Sequence, residues 1–247
     1  MSYKQAILTR QSRRSFTKEL PTIDQIKRLR ECIEKTNDEN GLNIQLMIDE
    51  EAGFSSFKSC YGVLTGVKNY IALVGPKEDE NIHEKLGYFG EKLLLECENL
   101  GMGTCWVGGT FDREQCRCKV EEDEAFHCVI AFGNVKKNQT PKEKIMRNVF
   151  HTLNKTKKIE NLFYSENDTV PNWFIEGMRM VQRAPSAINR MPVMFYYSYG
   201  NVYAKVKEPK VVELYDLGIA KAHFEIGAQC GTWEFGNGGV FIKDDEK

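Results

Sequence analysis

The 247-residue sequence lacks an excess of either charge: 34 Lys and Arg stand against 35 Asp and Glu. That balance argues against a general nucleic-acid grip, which needs a basic surplus, although it leaves room for a local cluster of arginines. Long apolar runs are missing, and none approaches the roughly 18 residues of a membrane-spanning helix. The start, MSYKQAILTRQSRRSF, turns polar before an apolar stretch develops. No secretory signal is read there, and a cytoplasmic location is expected. Histidine is scarce: His83, His127, His151 and His223 are isolated in sequence, and each reads as structural or exposed rather than catalytic. Closely paired cysteines are also lacking. Of Cys32, Cys60, Cys97, Cys105, Cys116, Cys118, Cys128 and Cys230, only Cys116 and Cys118 lie close together, and no second pair completes a zinc-type set. No metal site is expected, and the thiols read as free, many of them buried as small apolar groups.

What is present suits a globular chain of one large or two small domains. A short helix near Lys4–Leu8 precedes the arginine-rich stretch Arg10–Phe16. Ile23, Ile26, Leu29 and Ile33 then mark one face of a helix, which Thr22 and Gln25 begin as a capping box. Thr36–Gly41 is polar and ends in Gly, so it reads as a loop. Strands are expected at Leu42–Ile48, Val67–Val74, Thr104–Val107 and His127–Phe132, with a helix over Ile82–Leu100. Lys136–Lys144 reads as a basic surface connection and Asn154–Thr169 as a linker. Asn172 is placed to cap a helix carrying Phe174, Met178 and Val181. A hairpin follows, Val193–Tyr197 and Asn201–Val206, turning near Gly200. A helix over Val211–Ala228 and a short strand over Gly231–Phe235 end the pattern.

The chain also repeats itself. With Ile33 set against Val181, Ile33–Ile48 and Val181–Tyr196 run in register without gaps. Leu86-Gly87 opens a helix that ends in Gly103-Thr104-Cys105-Trp106, and Leu217-Gly218 opens one that ends in Gly231-Thr232-Trp233. The repeats suggest a first half, 1–153, and a shorter second half, 154–247. Two such halves can pack as a built-in dimer.

Three segments carry chemistry. Arg10-Gln11-Ser12-Arg13-Arg14-Ser15-Phe16 sets three guanidinium forks among hydroxyls, a combination that suits phosphate. Ala184-Pro185-Ser186-Ala187-Ile188-Asn189-Arg190-Met191-Pro192 offers polar groups on a stiffened loop, able to hydrogen-bond the edge of a planar heterocycle. Gly101-Met102-Gly103-Thr104-Cys105-Trp106-Val107-Gly108-Gly109 has glycines that let backbone N–H groups approach a ligand. Taken singly, each has a plainer reading: a solvated basic turn, a helix-to-strand connection, and a helix stop before a core strand.

Together, RQSRRSF, APSAINRMP and LGMGTCWVGG resemble the nitroreductase superfamily, and IAFGNVKKNQTPKEKIMRN resembles its closing strand and basic phosphate-binding segment. The resemblance covers nearly the whole chain in outline. It implies an α+β fold with a mixed, mainly antiparallel sheet flanked by helices, FMN as cofactor, NAD(P)H as electron donor and a nitroaromatic or quinone as acceptor. It also implies roles. Arg10 and Ser12 hold the FMN phosphate, with Arg147 or Lys144 as helpers, and Gln11 stands where many members have a second basic residue. Arg14 sits near the pyrimidine end of the ring. Gly108 and Gly109 offer backbone at the reactive edge. Pro185, Ser186, Ala187 and Asn189 approach from the other half, and Met191 replaces a frequent Gln. No side chain is implied as acid or base, since the flavin carries the chemistry and solvent supplies protons.

The arginine arm and the APSxxN loop fall in different halves. The first-half stretch aligned with that loop, Thr36-Asn37-Asp38-Glu39-Asn40-Gly41, has lost the serine and gained two carboxylates, poor neighbours for an anion. Glu160–Glu166, aligned with the arm, has no arginine. The expectation is a fused, monomeric pseudo-dimer with one surviving site. Three other readings stay open: a non-catalytic flavin-binding or sensing protein, a scaffold without flavin, and a specialised family chemistry such as reductive dehalogenation or flavin breakdown.

Overall fold

The computed structural model describes residues 2–55 and 63–244; Cys60 lies outside them. The chain divides into two compact units. One comprises 1–8, 80–92 and 150–247, and the other 9–79 and 93–149. They do not follow the 153/154 boundary of the sequence repeat, because 1–8 and 80–92 cluster with the later residues.

In the unit of 9–79 and 93–149, α2 (Ile23–Asn40) starts at the Thr22–Gln25 capping box, with both reciprocal hydrogen bonds formed. It follows α1 (Tyr3–Thr9). Leu29 and Ile33 are its buried face. The expected loop at Thr36–Gly41 is a helix end instead. Thr36 Oγ1 donates to the Cys32 carbonyl and Asn40 Nδ2 to the Thr36 carbonyl, so polar side chains bond back to the helix rather than interrupting it. Gly41 then ends it in the left-handed region at φ 62°. β1 (Gln45–Met47), β2 (Asn69–Pro76), β3 (Gly103–Val107) and β4 (Glu124–Gly133) form an antiparallel sheet in the order β1-β2-β4-β3. β2 is buried at seven of its eight positions, as a strand covered on both faces must be. Tyr70, Ala72, Cys105, Val107, Val129 and Ala131 pack with Phe54, Leu64 and Phe111 on one of these faces.

Two helices run across the division between units: α3 (Ile82–Asn99) and α4 (Pro141–Leu153). The second replaces the latter part of the expected surface connection. It escapes the apolar pattern because Ile145, Val149 and Leu153 lie 63%, 44% and 64% exposed rather than in a core.

In the other unit, β5 (Phe163–Ser165), β6 (Met194–Ser198), β7 (Asn201–Lys205), β8 (Gly231–Trp233) and β9 (Val240–Lys243) form a sheet in the order β5-β6-β7-β9-β8. Only β5 and β6 pair in parallel. β5 lies in the stretch expected to be a linker, and β9 in the charged tail. Among the described residues the strands thus make two sheets, one per unit, mixed and mainly antiparallel as expected. The β6–β7 turn is Tyr199-Gly200, both with positive φ, which matches the twist of a two-residue hairpin. α5 (Asn172–Val181) is capped at Pro171 without a side-chain bond, so Asn172 is its first residue and not its cap. α6 (Val211–Ala228) is buried over most of its second half. Phe224 stacks on Phe195 and meets Trp233 and Phe241 edge-on or tilted, an aromatic core for the unit.

α6 meets the 82–92 part of α3 at glycine. A Cβ on Gly218 would stand 1.9 Å from the Glu84 carbonyl oxygen, and one on Gly87 2.3 Å from that of Tyr215. The contact is reciprocal, since each glycine faces the backbone carbonyl three residues before the other. A buried ion pair and a buried hydrogen-bonded His–Glu pair flank it. Lys221 Nζ donates to Glu84 Oε1 at 2.5 Å and to the carbonyls of Glu234 and Gly236. His223 bonds Glu91 at 2.8 Å and the Met180 carbonyl at 3.0 Å. The element sequences also correspond. α2-β1-β2-α3-β3-β4 gives the order β1-β2-β4-β3, and α5-β6-β7-α6-β8-β9 gives β6-β7-β9-β8.

Candidate functional site

The arginine arm is extended and tied to β3. Ser12 bridges Thr104, and the Arg13 N–H donates to the Thr104 carbonyl at 2.7 Å. Further on, Ser15 bridges Thr65 and Phe16 bridges Val135. Successive side chains of an extended segment point to opposite sides. Arg13 is buried, while Ser12 and Arg14 are partly exposed and Gln11 is exposed. Arg13 is a structural arginine: its Nε donates to Glu143 Oε1 at 3.1 Å and its guanidinium to the Lys136 carbonyl at 2.9 Å. Gly103 is glycine because a Cβ would strike Arg13 and Val135 at 2.6–2.9 Å. The expectation that it admits a ligand is replaced by this packing requirement.

Glu143 is the residue that sequence reasoning missed. It is fully buried in the first turn of α4. Oε1 accepts the N–H groups of Arg14 at 2.7 Å and Ser15 at 3.2 Å, besides Arg13 Nε. Oε2 accepts the Thr140 N–H at 2.8 Å and its hydroxyl at 3.0 Å, and Thr140 Oγ1 accepts the Glu143 N–H in return. This is a capping box, and the Thr140-Pro141-Lys142-Glu143 spacing is its visible signal. Burial would raise the Glu143 carboxyl, but the hydrogen bonds from Arg14, Thr140 and Arg13, with the Arg13 charge, hold it at about 2.

Burial pushes the Cys105 thiol up, and the Arg14 and Arg10 cations pull against it, so both charges act at this strand of the sheet. Arg10 Nε is buried and has no hydrogen-bond partner among the described residues. A buried guanidinium nitrogen in that state favours an acceptor, above all an anion. After β3, Gly108 and Gly109 are exposed, and a Cβ on either would meet nothing within 4 Å. Arg147 and Lys144 are exposed on α4.

Pro185, Ser186, Ala187 and Asn189 belong to the other compact unit. Their loop bends through positive φ at Ile188 (46°), Asn189 (59°) and Met191 (48°). For a β-branched residue such as Ile188 that is a strained state. Ser186 Oγ accepts the Met191 N–H at 2.9 Å and Asn189 Nδ2 donates to the Asn154 carbonyl at 2.6 Å. The Ser186 hydroxyl proton and Asn189 Oδ1 are what these bonds leave for a ligand. The Ala187 N–H donates to both oxygens of Asp216, at 3.1 and 3.3 Å. Asp216 is buried on α6 beside a small cleft lined by Leu162, Val181, Pro185, Met191 and Val193. Burial pushes its carboxyl up to about 7, against the Ala187 N–H, with Glu213 adding to the rise and Arg190 opposing it. A lone acid entering a buried helical run was its only trace in the sequence.

Among the described residues no group of three or more His, Cys, Asp or Glu could hold a metal ion. No helix among them is long and apolar enough to cross a membrane.

Comparison with known proteins adds the lineage. Residues 2–228 match the family model described as Putative TM nitroreductase. A putative nitroreductase from Thermotoga maritima superposes with a TM-score of 0.61 at 21% identity, covering 98% of this chain and 92% of that one. An FMN-dependent nitroreductase from Clostridium difficile covers 55% of this chain and 88% of its own, at 16% identity and TM-score 0.44. A nitroreductase with bound FMN from Desulfitobacterium hafniense covers 57% and 93%, at 14% identity and TM-score 0.45. No curated protein matches.

Proposed function

The chain belongs to the Putative TM nitroreductase family, and on that premise we propose that it is an FMN-dependent oxidoreductase, taking electrons from NAD(P)H and passing them to an electrophilic small molecule of the nitroaromatic or quinone class. The observation that carries the cofactor assignment is the buried Arg10 Nε, which has no hydrogen-bond partner among the described residues; the charges of Arg10 and Arg14 both act at Cys105 of β3.

The residues fit the group. Arg10 and Ser12 hold the phosphate, helped by Arg147 and Lys144, with Gln11 beside them. Arg14, its main chain fixed by Glu143, sets a cation where negative charge gathers on the ring's pyrimidine end. Gly108 and Gly109 admit the ring edge without a side chain in the way. Pro185, Ser186, Ala187 and Asn189 are the second set of contacts. When bound, FMN supplies the hydride chemistry; the protein binds and orients it.

The reading extends to the architecture. The matching strand orders support two fused halves acting as an intramolecular pseudo-dimer, with one FMN per chain. The first half's counterpart of the 184–192 loop is a helix end carrying Asp38 and Glu39, which offers nothing to an anionic cofactor. The test is the absorbance spectrum of purified protein with released flavin quantified, followed by NAD(P)H consumption with menadione. One FMN per chain and steady turnover are expected. A colourless protein that takes up no added FMN overturns the reading, and two FMN per chain overturn its single-site form.

A further inference from the structure

The 186–191 turn has three non-glycine residues in the left-handed region, a strained state that persists only where the surroundings enforce it. Four ties enforce it. Asn154 Nδ2 donates to the Ile188 carbonyl at 2.9 Å, Lys157 Nζ to the Met191 carbonyl at 2.8 Å, and the Met191 N–H to Ser186 Oγ at 2.9 Å. These come from partly exposed side chains. The fourth, Asp216 to the Ala187 N–H, comes from a carboxyl only 5% exposed on a helix of the unit's core. Leaving either the buried carboxyl or the amide without its partner would be costly, so the two hold each other in place. The carboxyl thereby fixes the amide that starts the turn.

We propose that Asp216 is a positioning residue of the flavin site: from α6 it clamps the Ala187 amide and so holds Ser186, Ala187 and Asn189 in the shape that meets the cofactor. This rests on the assignment of FMN to that loop. Asp216 touches no reacting atom in this scheme; it acts through the loop. The ionised carboxyl is the stronger acceptor for the Ala187 N–H, so the clamp tightens as the group loses its proton. The charged groups that face it are Glu213, one turn earlier on α6, and Arg190 on the loop. The other residues around it, Leu162, Val181, Pro185, Met191 and Val193, carry no charge.

The experiment uses the full chain, with two readouts and two variants. Amide hydrogen exchange over 186–191 is measured without flavin, and FMN affinity by flavin fluorescence from pH 5.5 to 8.5. In Asp216→Leu, which has no acceptor, exchange across the turn rises and FMN affinity falls about tenfold, the loss of one charge-assisted hydrogen bond. Asp216→Asn keeps an acceptor oxygen and does not titrate. Its affinity stays within about threefold of wild type, the ordinary spread for a retained neutral bond. The ratio of wild-type to Asn affinity grows several-fold from pH 6 to pH 8. Unchanged exchange in Asp216→Leu overturns the proposal, as does changed exchange with unchanged FMN affinity, or a ratio flat with pH. A wild type that binds no FMN overturns the flavin assignment itself, which the exchange data alone would not do.

Discussion

Gly218 and the Glu84 carbonyl lie so close that no side chain fits between them: a Cβ would come within 1.9 Å of that oxygen. The obstacle is backbone on a helix whose side chain is engaged too, since Glu84 holds Lys221 and the Gly236 N–H. Gly218→Ala is therefore expected to cost at least about 3 kcal/mol, the upper range for overpacking, and Gly87→Ala a similar amount. Urea unfolding checks this; a variant as stable as wild type would mean that the helices separate freely.

Gly108 gives the opposite expectation. Its neighbourhood is open, so Gly108→Val should leave the melting temperature within about 2 °C, as surface changes do in a chain of this size. If the segment lines the flavin, the same variant weakens FMN binding about tenfold or more through steric exclusion. Loss of fold and binding together would contradict the assignment.

Arg10→Ala and Arg14→Ala should each weaken FMN binding by about ten- to a hundredfold, as loss of a charge-assisted contact implies. Asp38→Ala, on α2, should hardly matter. Equal effects at all three positions would sink the single-site arrangement.

Glu143 predicts an acid limit. Its folded carboxyl lies at about 2, below the ordinary unfolded value of about 4.3. It therefore adds stability that is complete above the unfolded value and is lost as pH falls through the folded one. Wild type should lose stability between about pH 5 and pH 2 more steeply than Glu143→Gln, which has no carboxyl to protonate there. At pH 7 the Gln variant should already be weaker by about 3 kcal/mol, because Arg13 is left buried without its counter-charge. Thermal melts across that range decide it.

Asp216 has the reverse sign. Its folded value, about 7, lies above the unfolded one of about 3.9. The stability it contributes is complete below pH 4 and fades as pH rises through 7. The melting temperature of Asp216→Asn relative to wild type should climb across that window and level off near pH 8. A constant offset would show that the carboxyl titrates normally.

The sequence displayed the elements whose physics is local or strongly periodic. The Thr22–Gln25 box and the Val211–Ala228 helix are there residue for residue, because a cap and a buried apolar run announce themselves. Thr36–Asn40 misled because Thr and Asn side chains turn back onto their own helix, something polarity alone does not reveal. Pro141–Leu153 hid because its apolar residues face outward. Val240–Lys243 is four residues in a charged tail and gains its place only from the strands on either side. The arm's composition pointed at its arginines but could not sort them: burial alone separates Arg13, which serves the fold, from Arg10 and Arg14.

The segment 80–92 lies early in the sequence yet belongs to the same compact unit as 150–247. Without it, Lys221 and His223 would stand buried with Glu84 and Glu91 gone. The later part of the chain is thus no free module. Residues 154–247 made alone should not fold, and a cut in the loop between β2 and α3 should be harmless only while both pieces stay together. Replacing residues 154–247 by those of a relative would succeed only if 80–92, thirteen residues of the same compact unit, were replaced along with them.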